Sequence, residues 1–204
     1  PEIMRYAAGF SKLVTTAQAD PFDQAAFDKE LEAQKGRAER YFKNYDQPTD
    51  KKVFAALMEV YGENVAKNLQ PEQFATVVAA KHSNDYNSYT NYVFEKSFFT
   101  SKEKVLDLLD GFSAKTAKRV TRDPAYSMGA AMVNTYVSKV RPIYAEINGE
   151  ISRLQRIYMD GLKTLMPRDN YYPDANGTLR LSYGIVDGYE PADGIKFRYY
   201  TSLD

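Results

Sequence analysis

The sequence predicts a mainly α-helical fold: a multi-helix domain over residues 1–167, followed by a short β-hairpin segment over residues 168–204. Apolar residues recur three and four positions apart through the first part of the chain, which is the spacing of an amphipathic helix. A heptad pattern from Val133 to Leu165 predicts one long helix. After Pro167 the pattern changes to an alternation of apolar and polar residues, which is typical of strands.

The first two helices are predicted over residues 2–18 and over about residues 24–45, each with a regular apolar stripe. The stripe residues expected to face the core are Ile3, Ala7, Phe10, Val14 and Ala17 in the first helix and Phe27, Leu31, Ala38, Tyr41, Phe42 and Tyr45 in the second. The Asp46-Gln47-Pro48 segment should end the second helix, because the residue before a proline is pushed away from the helical conformation.

Two further helices follow, and their starts are marked by capping residues and by a proline. Thr49 or Asp50 can cap the third helix, since both side chains can accept a hydrogen bond from its first turn. Gln70-Pro71 starts the fourth helix, because proline is tolerated in the first helical turn. The residues expected to face inward are Val53, Leu57, Val60 and Tyr61 in the third helix and Phe74, Val77 and Val78 in the fourth.

Two shorter helices are predicted before the long one. Residues 84–99 are rich in Tyr and Asn and are predicted to be helical. The segment Thr100-Ser101-Lys102-Glu103 has the form of a capping box and should open a short helix that Gly111 ends. The apolar residues of that short helix are Val105, Leu108 and Leu109.

The longest helix should begin at Asp123-Pro124 and run to about residue 166, which gives it a length of roughly 60 Å. We call its heptad positions the seam: Val133, Val137, Val140, Tyr144, Ile147, Ile151, Leu154, Tyr158, Gly161 and Leu165. Pro142 should kink this helix, because its ring clashes with the carbonyl of Ser138. The seam needs a partner, and helix 1 or helix 2 packed antiparallel within the chain is favoured over a second copy of the chain.

The last residues predict a turn at residues 173–177 and two strands, at residues 178–186 and 195–201. Asp187-Gly188 and Asp193-Gly194 are turn dipeptides. The apolar strand residues expected on one face are Leu179, Leu181, Tyr183 and Ile185 in the first strand and Ile195, Phe197 and Tyr199 in the second. A lone hairpin cannot bury such a face, so this segment is expected to be part of a larger sheet.

Composition excludes several classes of function. The 27 basic and 27 acidic residues balance, so no net field attracts nucleic acid or an anionic membrane. The sequence has no Cys, which removes disulfides, thiolate nucleophiles and zinc–thiolate sites. With one His, a transition-metal site is not expected. No apolar run approaches the ~20 residues that span a bilayer. We therefore expect no cofactor, no metal, no nucleic acid partner and no membrane span.

The one histidine, His82, is the first residue to test for catalysis, because a serine triad needs a base. Ser83 and Asp85 are its possible partners, but residues this close in sequence rarely reach the geometry of a triad. A solvated helix end is the favoured interpretation. The sequence also has no Gly-x-Ser-x-Gly elbow and no phosphate-binding loop. No catalytic, cofactor-binding or metal-binding residue is predicted.

Three other polar patterns have ordinary structural explanations. Asp174-Ala175-Asn176-Gly177 is similar to the start of a calcium loop but lacks the later ligands, so an Asx turn is favoured. A basic cluster is expected to be a solvated face rather than a polyanion site: Lys115, Lys118, Arg119 and Arg122. Paired carboxylates lie on charged helix faces and do not indicate acid–base catalysis: Asp28 with Glu32, and Glu146 with Glu150.

A long sequence motif occupies the tail. Its three parts are Tyr172-Pro173-Asp174-Ala175-Asn176-Gly177-Thr178-Leu179-Arg180-Leu181-Ser182-Tyr183-Gly184, Gly188-Tyr189-x-Pro191-x-Asp193-Gly194, and Tyr200-Thr201-Ser202-Leu203. This motif closely resembles a block of bacterial serine exopeptidases, the family of dipeptidyl-peptidases 7 and 11. Two upstream stretches are similar to the helical region of that family: Ser97-Phe98-Phe99-Thr100-Ser101 and Asp123-Pro124-Ala125-Tyr126.

The resemblance implies a chymotrypsin-like double β-barrel peptidase with a helical domain inserted in its chain. Such enzymes remove dipeptides from free peptide N-termini, and the helical domain overhangs the cleft. The triad order is His, Asp, Ser, and this segment falls after the Asp and before the Ser. The resemblance therefore places no triad residue on this chain, and His82 does not match the family's catalytic His motif.

On this basis residues 1–167 are expected to be the helical cap of a serine dipeptidyl-peptidase, and residues 168–204 an incomplete part of its barrel. The chain alone should be inactive, while the parent enzyme would take peptide substrates and lie in the periplasm or at the surface of a Gram-negative bacterium. A homodimer is left open. The alternative is a non-enzymatic helical module that uses the seam for interaction or dimerisation.

Overall fold

The computed structural model describes residues 1–167, 171 and 177–203 of the chain. It divides into two compact units, Pro1–Arg153 and Leu154–Asp204, and the boundary falls within the last helix. The predicted mainly α fold with a terminal two-stranded hairpin is confirmed. The predicted domain boundary after residue 167 adjoins residues outside the described ranges and stays a prediction.

The helices of the described residues follow one another with short connections. The α-helices are α1 (Glu2–Ala8), α2 (Ser11–Ala17), α3 (Gln24–Phe42), α4 (Gln47–Asn64), α5 (Ala80–His82), α6 (Tyr86–Lys96), α7 (Lys102–Leu109), α8 (Ala114–Val120), α9 (Pro124–Thr135) and α10 (Arg141–Leu165). Shorter 3₁₀ segments lie at Lys67–Leu69 and Phe98–Thr100. Segments of π-helix lie at Phe74–Ala79 and Tyr136–Val140.

The predicted first helix is broken into α1 and α2 at Gly9. The Gln34 amide of α3 donates to the Gly9 carbonyl at 3.1 Å. The Arg37 guanidinium lies where a Cβ at position 9 would stand. Two side chains of α3 therefore occupy the break, and periodicity alone does not reveal them. The apolar stripe predicted for this segment is confirmed, because all five of its residues are buried.

The predicted start and inner face of α4 are wrong. Asp46 caps the helix by accepting a hydrogen bond from the Thr49 amide at 2.9 Å. Asp50 is instead buried in the first turn of α4 and accepts the Glu2 and Ile3 amides of α1 at 2.7 and 2.9 Å. This bond between helices fixes how α4 is rotated about its axis.

The rotation of α4 turns a different set of side chains inward from the set predicted. Phe54 and Met58 are buried below Asp50. Of the four predicted inner residues, Val53, Leu57 and Val60 are 42%, 45% and 54% exposed, and Tyr61 is partly buried against the core. The apolar pattern of this helix is therefore a poorer guide to its inner face than the single buried carboxylate.

The other helix predictions hold in outline. Phe74 and Val78 are buried as expected, although their segment is a π-helix. Ser101, not Thr100, caps α7 by accepting the Lys104 amide at 3.3 Å, so Glu103 does not complete a capping box. The helix α8 was not predicted.

Aromatic side chains fill the core of the first unit. The rings of Tyr6 and Tyr41 stack with their centroids 4.0 Å apart, and Phe10 meets Phe99 edge-on at 4.9 Å. Within the described residues, the hydroxyl groups of Tyr6 and Tyr41 and the Gln34 side-chain oxygen have no hydrogen-bond partner. Burying a polar group without a hydrogen bond lowers the stability of the folded state, so these three groups each destabilise the core.

Asp123 joins the aromatic core to the start of α9. Its Oδ1 accepts bonds from the Ser97 hydroxyl at 3.0 Å and from the Ala125 and Tyr126 amides at 2.9 and 3.2 Å. Its Oδ2 accepts the Phe98 amide at 2.7 Å. The predicted helix start at Asp123 is confirmed, and the same carboxylate also fixes the 3₁₀ turn that follows α6.

The predicted long helix is confirmed as an unbroken helical run from Pro124 to Leu165. Its hydrogen-bond pattern widens to the π type over Tyr136–Val140, next to Pro142, which has no N–H to donate. In α9, Gly129 lies so close to the Met4 carbonyl that a Cβ would stand 2.8 Å from that oxygen. The α9 helix thus packs tightly on α1.

Within the first unit, up to Ile151, the seam residues are not buried on helix 1 or helix 2, so the predicted packing of the seam is wrong there. The helix α10 has no buried residue. Apart from Gly161 and the half-buried Val140, the seam side chains are 45–79% exposed. The alternative partner, a second copy of the chain, is not tested by a single chain.

In the tail, β1 (Tyr189–Ala192) pairs antiparallel with β2 (Ile195–Phe197) through a turn in which Gly194 has a φ of +74°. The second strand and the Asp193-Gly194 turn were predicted. The strand predicted at 178–186 is not formed, because it has no neighbour to pair with. The four side chains predicted for its apolar face, Leu179, Leu181, Tyr183 and Ile185, are at least 84% exposed. The turn predicted at 173–177 lies outside the described residues, apart from Gly177.

Candidate functional site

A cavity of about 340 Å³ lies among three parts of the first unit: the segment that ends in α5, the helix α6, and the start of α9. We call it the His82 pocket, and six of its lining residues matter here: Lys81, His82, Tyr89, Tyr92, Arg122 and Met128. Its volume is within the usual range for small-molecule sites.

A sharp helix end holds His82 at this pocket. Ser83 and Asn84 follow it with φ values of 53° and 59°, which is a left-handed conformation that few residues other than glycine adopt. The Asn84 amide donates to the Val78 carbonyl at 3.1 Å, and the Asp85 amide donates to the His82 carbonyl at 2.7 Å. These bonds satisfy the end of the helix and fix the direction in which the imidazole leaves it.

The structure does not bring His82, Ser83 and Asp85 into a triad. The Nδ1 atom of His82 lies 3.0 Å from the Ser88 hydroxyl. Asp85 caps α6 by accepting the Ser88 amide at 2.9 Å. Ser83 is the left-handed residue at the helix end, and no described bond joins it to the imidazole. His82 is thus part of a pocket wall rather than a base aligned with a nucleophile.

Aromatic rings form the inner wall of the His82 pocket. The imidazole of His82 lies 5.4 Å from the ring centroids of both Tyr89 and Tyr92. Tyr89 and Met128 are buried, at 1% and 2% exposure, and Tyr92 forms the more exposed edge. Burial raises the pKa of Tyr89 well above its ordinary value, so its hydroxyl stays protonated.

The rim of the His82 pocket carries positive charge. Lys81 and Arg122 are both exposed. Neither side chain has a carboxylate partner within the described part of the chain. The nearest acids in sequence are already used, since Asp85 caps α6 and Asp123 accepts four hydrogen bonds. The arrangement can attract an anionic group.

The basic cluster predicted from sequence is divided in the structure. Arg122 lines the His82 pocket. Lys115 and Lys118 are exposed on α8, and the Arg119 guanidinium lies 5.2 Å from the centroid of the Phe98 ring. All four residues are exposed, and of the four only Arg122 is among the lining residues of the His82 pocket.

The paired carboxylates lie on exposed helix faces, as their sequence pattern indicates. Asp28 accepts the Gln24 amide at 2.8 Å, Glu32 pairs with Lys35 at 3.1 Å, and Glu150 pairs with Arg153 at 2.6 Å. Across the described ranges, no three acidic or histidine side chains gather as a metal site. Asp174 and Asn176 of the calcium-like segment lie outside these ranges.

Sequence reasoning missed the His82 pocket because its lining comes from three separate segments, residues 73–82, 89–92 and 122–128. Each signal was present singly: the one histidine, the Tyr-rich stretch of α6, and Arg122 in the basic cluster. It also missed the second role of Asp123, for which the helix-start signal gave no hint.

Within the described residues, no helix is both long and apolar enough to cross a membrane.

Comparison with known proteins covers the whole chain. The profile of Peptidase S46 matches residues 1–204. The chain is 32% identical over 182 residues to the Asp/Glu-specific dipeptidyl-peptidase of Flavobacterium psychrophilum, covering 89% of this chain and 24% of that protein. It is 28% identical over 205 residues to the dipeptidyl-peptidase 7 of Porphyromonas gingivalis, covering 98% of this chain and 27% of that protein.

A solved structure shows the same fold. The crystal structure of Porphyromonas endodontalis DPP11 matches with a TM-score of 0.58 at 24% identity, over 96% of this chain and 29% of that chain. The present chain spans about a quarter of the length of the curated relatives that it matches. Because the family profile matches from the first residue to the last, the chain belongs to the peptidase S46 family.

Proposed function

We propose that this chain is the helical cap of a serine-type dipeptidyl-peptidase that removes dipeptides from free peptide N-termini. One observation carries the proposal. The family profile covers the whole chain, while the relatives named dipeptidyl-peptidases are about four times as long as this chain. In this proposal the nucleophilic serine and its histidine base lie in the rest of the parent enzyme, which acts by acyl transfer. The parent lies in the periplasm or at the cell surface.

The cap role is supported by what the chain leaves uncovered. The seam of α10 and the apolar side chains of residues 179–185 are exposed, although each follows the regular pattern of a packed face. Exposed apolar surface of this extent is characteristic of an interaction site. We infer that the tail joins a catalytic β-barrel and that the helices above it cover the cleft and exclude blocked peptides.

Inactivity of the chain alone is the first test. Among the described residues the one histidine contacts Ser88 and no carboxylate, so nothing activates a serine. With a fluorogenic dipeptidyl substrate we expect no release above the blank at any enzyme concentration. Turnover that survives further purification and is lost in His82→Ala would overturn the proposal.

The cap role is tested in the parent enzyme. Replacing the segment equivalent to residues 1–167 by a short linker should leave a barrel that no longer distinguishes free from acetylated N-termini. The measurement is kcat/KM for a tetrapeptide and for its N-acetyl form. An unchanged ratio in a variant that still turns over the free peptide would show that the cap does not set this selectivity.

A second function is favoured by the exposure of the seam: a non-enzymatic module that dimerises through α10. It predicts a concentration-dependent dimer in sedimentation velocity, abolished by Ile147→Asp and kept by Asn148→Asp on the neighbouring position. A monomer at all concentrations would eliminate this alternative and leave the cap role.

A further inference from the structure

The His82 pocket combines an uncompensated positive rim with an apolar wall. Lys81 and Arg122 stand at the opening with no carboxylate partner in the described ranges. Both residues are exposed, and no described hydrogen bond or ion pair involves either side chain. Because these two cations line one cavity and have no ion-pair partner among the described residues, both can pair with an anionic ligand.

The lining beside these cations includes aromatic and apolar side chains. Tyr89 is 1% exposed and Met128 is 2% exposed. His82 lies against the aromatic side of this wall, and its Nδ1 atom is engaged with Ser88 at 3.0 Å. The hydroxyl of Ser127 adds one neutral hydrogen-bonding group to the lining. A ligand that matches this wall needs a flat or apolar body next to its charge.

The carboxylates that could neutralise the rim from within are occupied. Asp85 accepts the Ser88 amide, and Asp123 is buried and receives four donors from two segments. Neither can turn toward Lys81 or Arg122 without leaving a helix cap unsatisfied. An external anion is therefore the group that can pair with the rim.

We propose that the His82 pocket binds a carboxylate carried on an apolar or aromatic residue, as at the C-terminus of a short peptide. The Arg122 guanidinium and the Lys81 ammonium receive the carboxylate, since a guanidinium matches its two oxygens. The apolar part lies against the aromatic and apolar lining, in which Val77 and Tyr92 keep accessible surface. A phosphate dianion is a poorer match, because these apolar and aromatic surfaces offer it no donor.

The one histidine makes this binding directly observable. In proton NMR its imidazole gives the single set of histidine ring signals, so any shift of them reports on this pocket. The probe is N-acetyl-phenylalanine, titrated at a fixed pH of about 8, where its own carboxylate is ionised. We expect a saturable shift, with a Kd on the order of 1 mM. N-acetyl-phenylalanine amide, which lacks the charge, should leave the signals in place.

Charge-matched variants locate the binding. Lys81→Gln and Arg122→Gln should each weaken binding of the probe by about tenfold. Lys115→Gln and Lys118→Gln remove the same charge from exposed positions on α8 and should change the Kd by less than about twofold. All four positions are exposed, so the variants should keep the circular dichroism of the parent chain.

Four outcomes would overturn the inference, and the first three come from titrations of the probe, the amide and the variants. These are no shift of the His82 signals at about 20 mM probe, equal shifts with the amide, or equal losses in the α8 controls. Tighter binding of inorganic phosphate than of the probe would also overturn it, because the apolar wall would then contribute nothing. Membership of the peptidase family does not depend on any of these results, so this test and the activity test fail separately.

Discussion

The helices α9 and α10 belong to one helical run, yet they differ in burial: the rest of the chain covers part of α9 and buries no residue of α10. The short α9 buries five residues and crosses α1 at close range. The longer α10 carries a more regular apolar stripe and buries none. Periodicity therefore predicts that a helix forms and which of its faces is apolar. It does not predict whether this chain supplies the surface that covers that face.

The exposed stripe of α10 is also broader than a coiled-coil seam. Tyr136, Ile143 and Ile157 lie beside the seam and are more than half exposed. A narrow two-position seam is typical of paired helices, whereas a wider stripe is typical of a helix that packs on a larger surface. This width favours a cap that rests on another domain over a two-stranded dimer.

The largest contrast is expected between matched isoleucines. Ile3 in α1 is 0% exposed and Ile147 in α10 is 55% exposed. Ile3→Ala should lower the free energy of unfolding by about 2–5 kcal/mol, because it leaves a cavity in the core. Ile147→Ala should change it by less than about 0.5 kcal/mol. Urea unfolding followed by circular dichroism measures both. Equal losses would show that the α10 stripe is packed in the isolated chain.

A second contrast compares two aspartates that cap helices. Asp123 is buried and accepts four hydrogen bonds, so Asp123→Asn turns one acceptor into a donor that faces backbone N–H groups. We expect a loss of about 3 kcal/mol in the free energy of unfolding. Asp46→Asn is the control, because asparagine caps a helix equally well and position 46 is exposed. If both variants unfold alike, Asp123 is not the junction described above.

Two glycines should respond to alanine with opposite sign. A Cβ at Gly129 would meet the Met4 carbonyl of α1, which is backbone and cannot move alone. Gly129→Ala should therefore destabilise the fold by about 2 kcal/mol. Gly149 in α10 has open space around it, so Gly149→Ala should stabilise by about 0.5–1 kcal/mol through helix propensity. Thermal unfolding gives both signs, and a loss in Gly149→Ala would mean that α10 is covered there.

The smallest effect concerns the buried hydroxyl of Tyr6, which has no described partner. Tyr6→Phe should change the free energy of unfolding at pH 7 by less than about 1 kcal/mol, in the stabilising direction. Burial raises the pKa of Tyr6 above its ordinary value. The folded chain then holds this proton more tightly than the unfolded chain.

The sign of the pH dependence follows from that proton. Above about pH 10 the unfolded tyrosine ionises first, so the parent chain loses stability as the pH rises. Tyr6→Phe should reduce this loss by at most about 1.4 kcal/mol per pH unit. Urea midpoints between pH 8 and 11 measure it, and identical slopes in parent and variant would contradict the burial of this hydroxyl.

The features that the sequence predicts correctly and those that it does not differ in the sequence separation of the contacts that decide them. Helix content, the Asp123 start and the Asp193-Gly194 turn depend on neighbouring residues, and the sequence predicts them correctly. The inner face of α4 depends on a bond from Asp50 to α1, almost fifty residues away, and the sequence pattern selects the wrong face. The His82 pocket likewise combines residues 73–92 with the distant residues 122–128. Such features are decided by tertiary contacts that no local pattern encodes.

The contact between Gly9 and Arg37 has a consequence for how this chain can evolve. Any side chain at position 9 evicts the guanidinium, which now lies 5.3 Å from the centroid of the Tyr6 ring and donates to the Arg5 carbonyl at 3.4 Å. Because that guanidinium is the end of a long, flexible side chain, it can move to another position, and we expect a substitution at Gly9 to leave the fold intact. A side chain at position 9 is therefore compatible with Arg37 only if the guanidinium leaves the Gly9 site and gives up its contact with Tyr6.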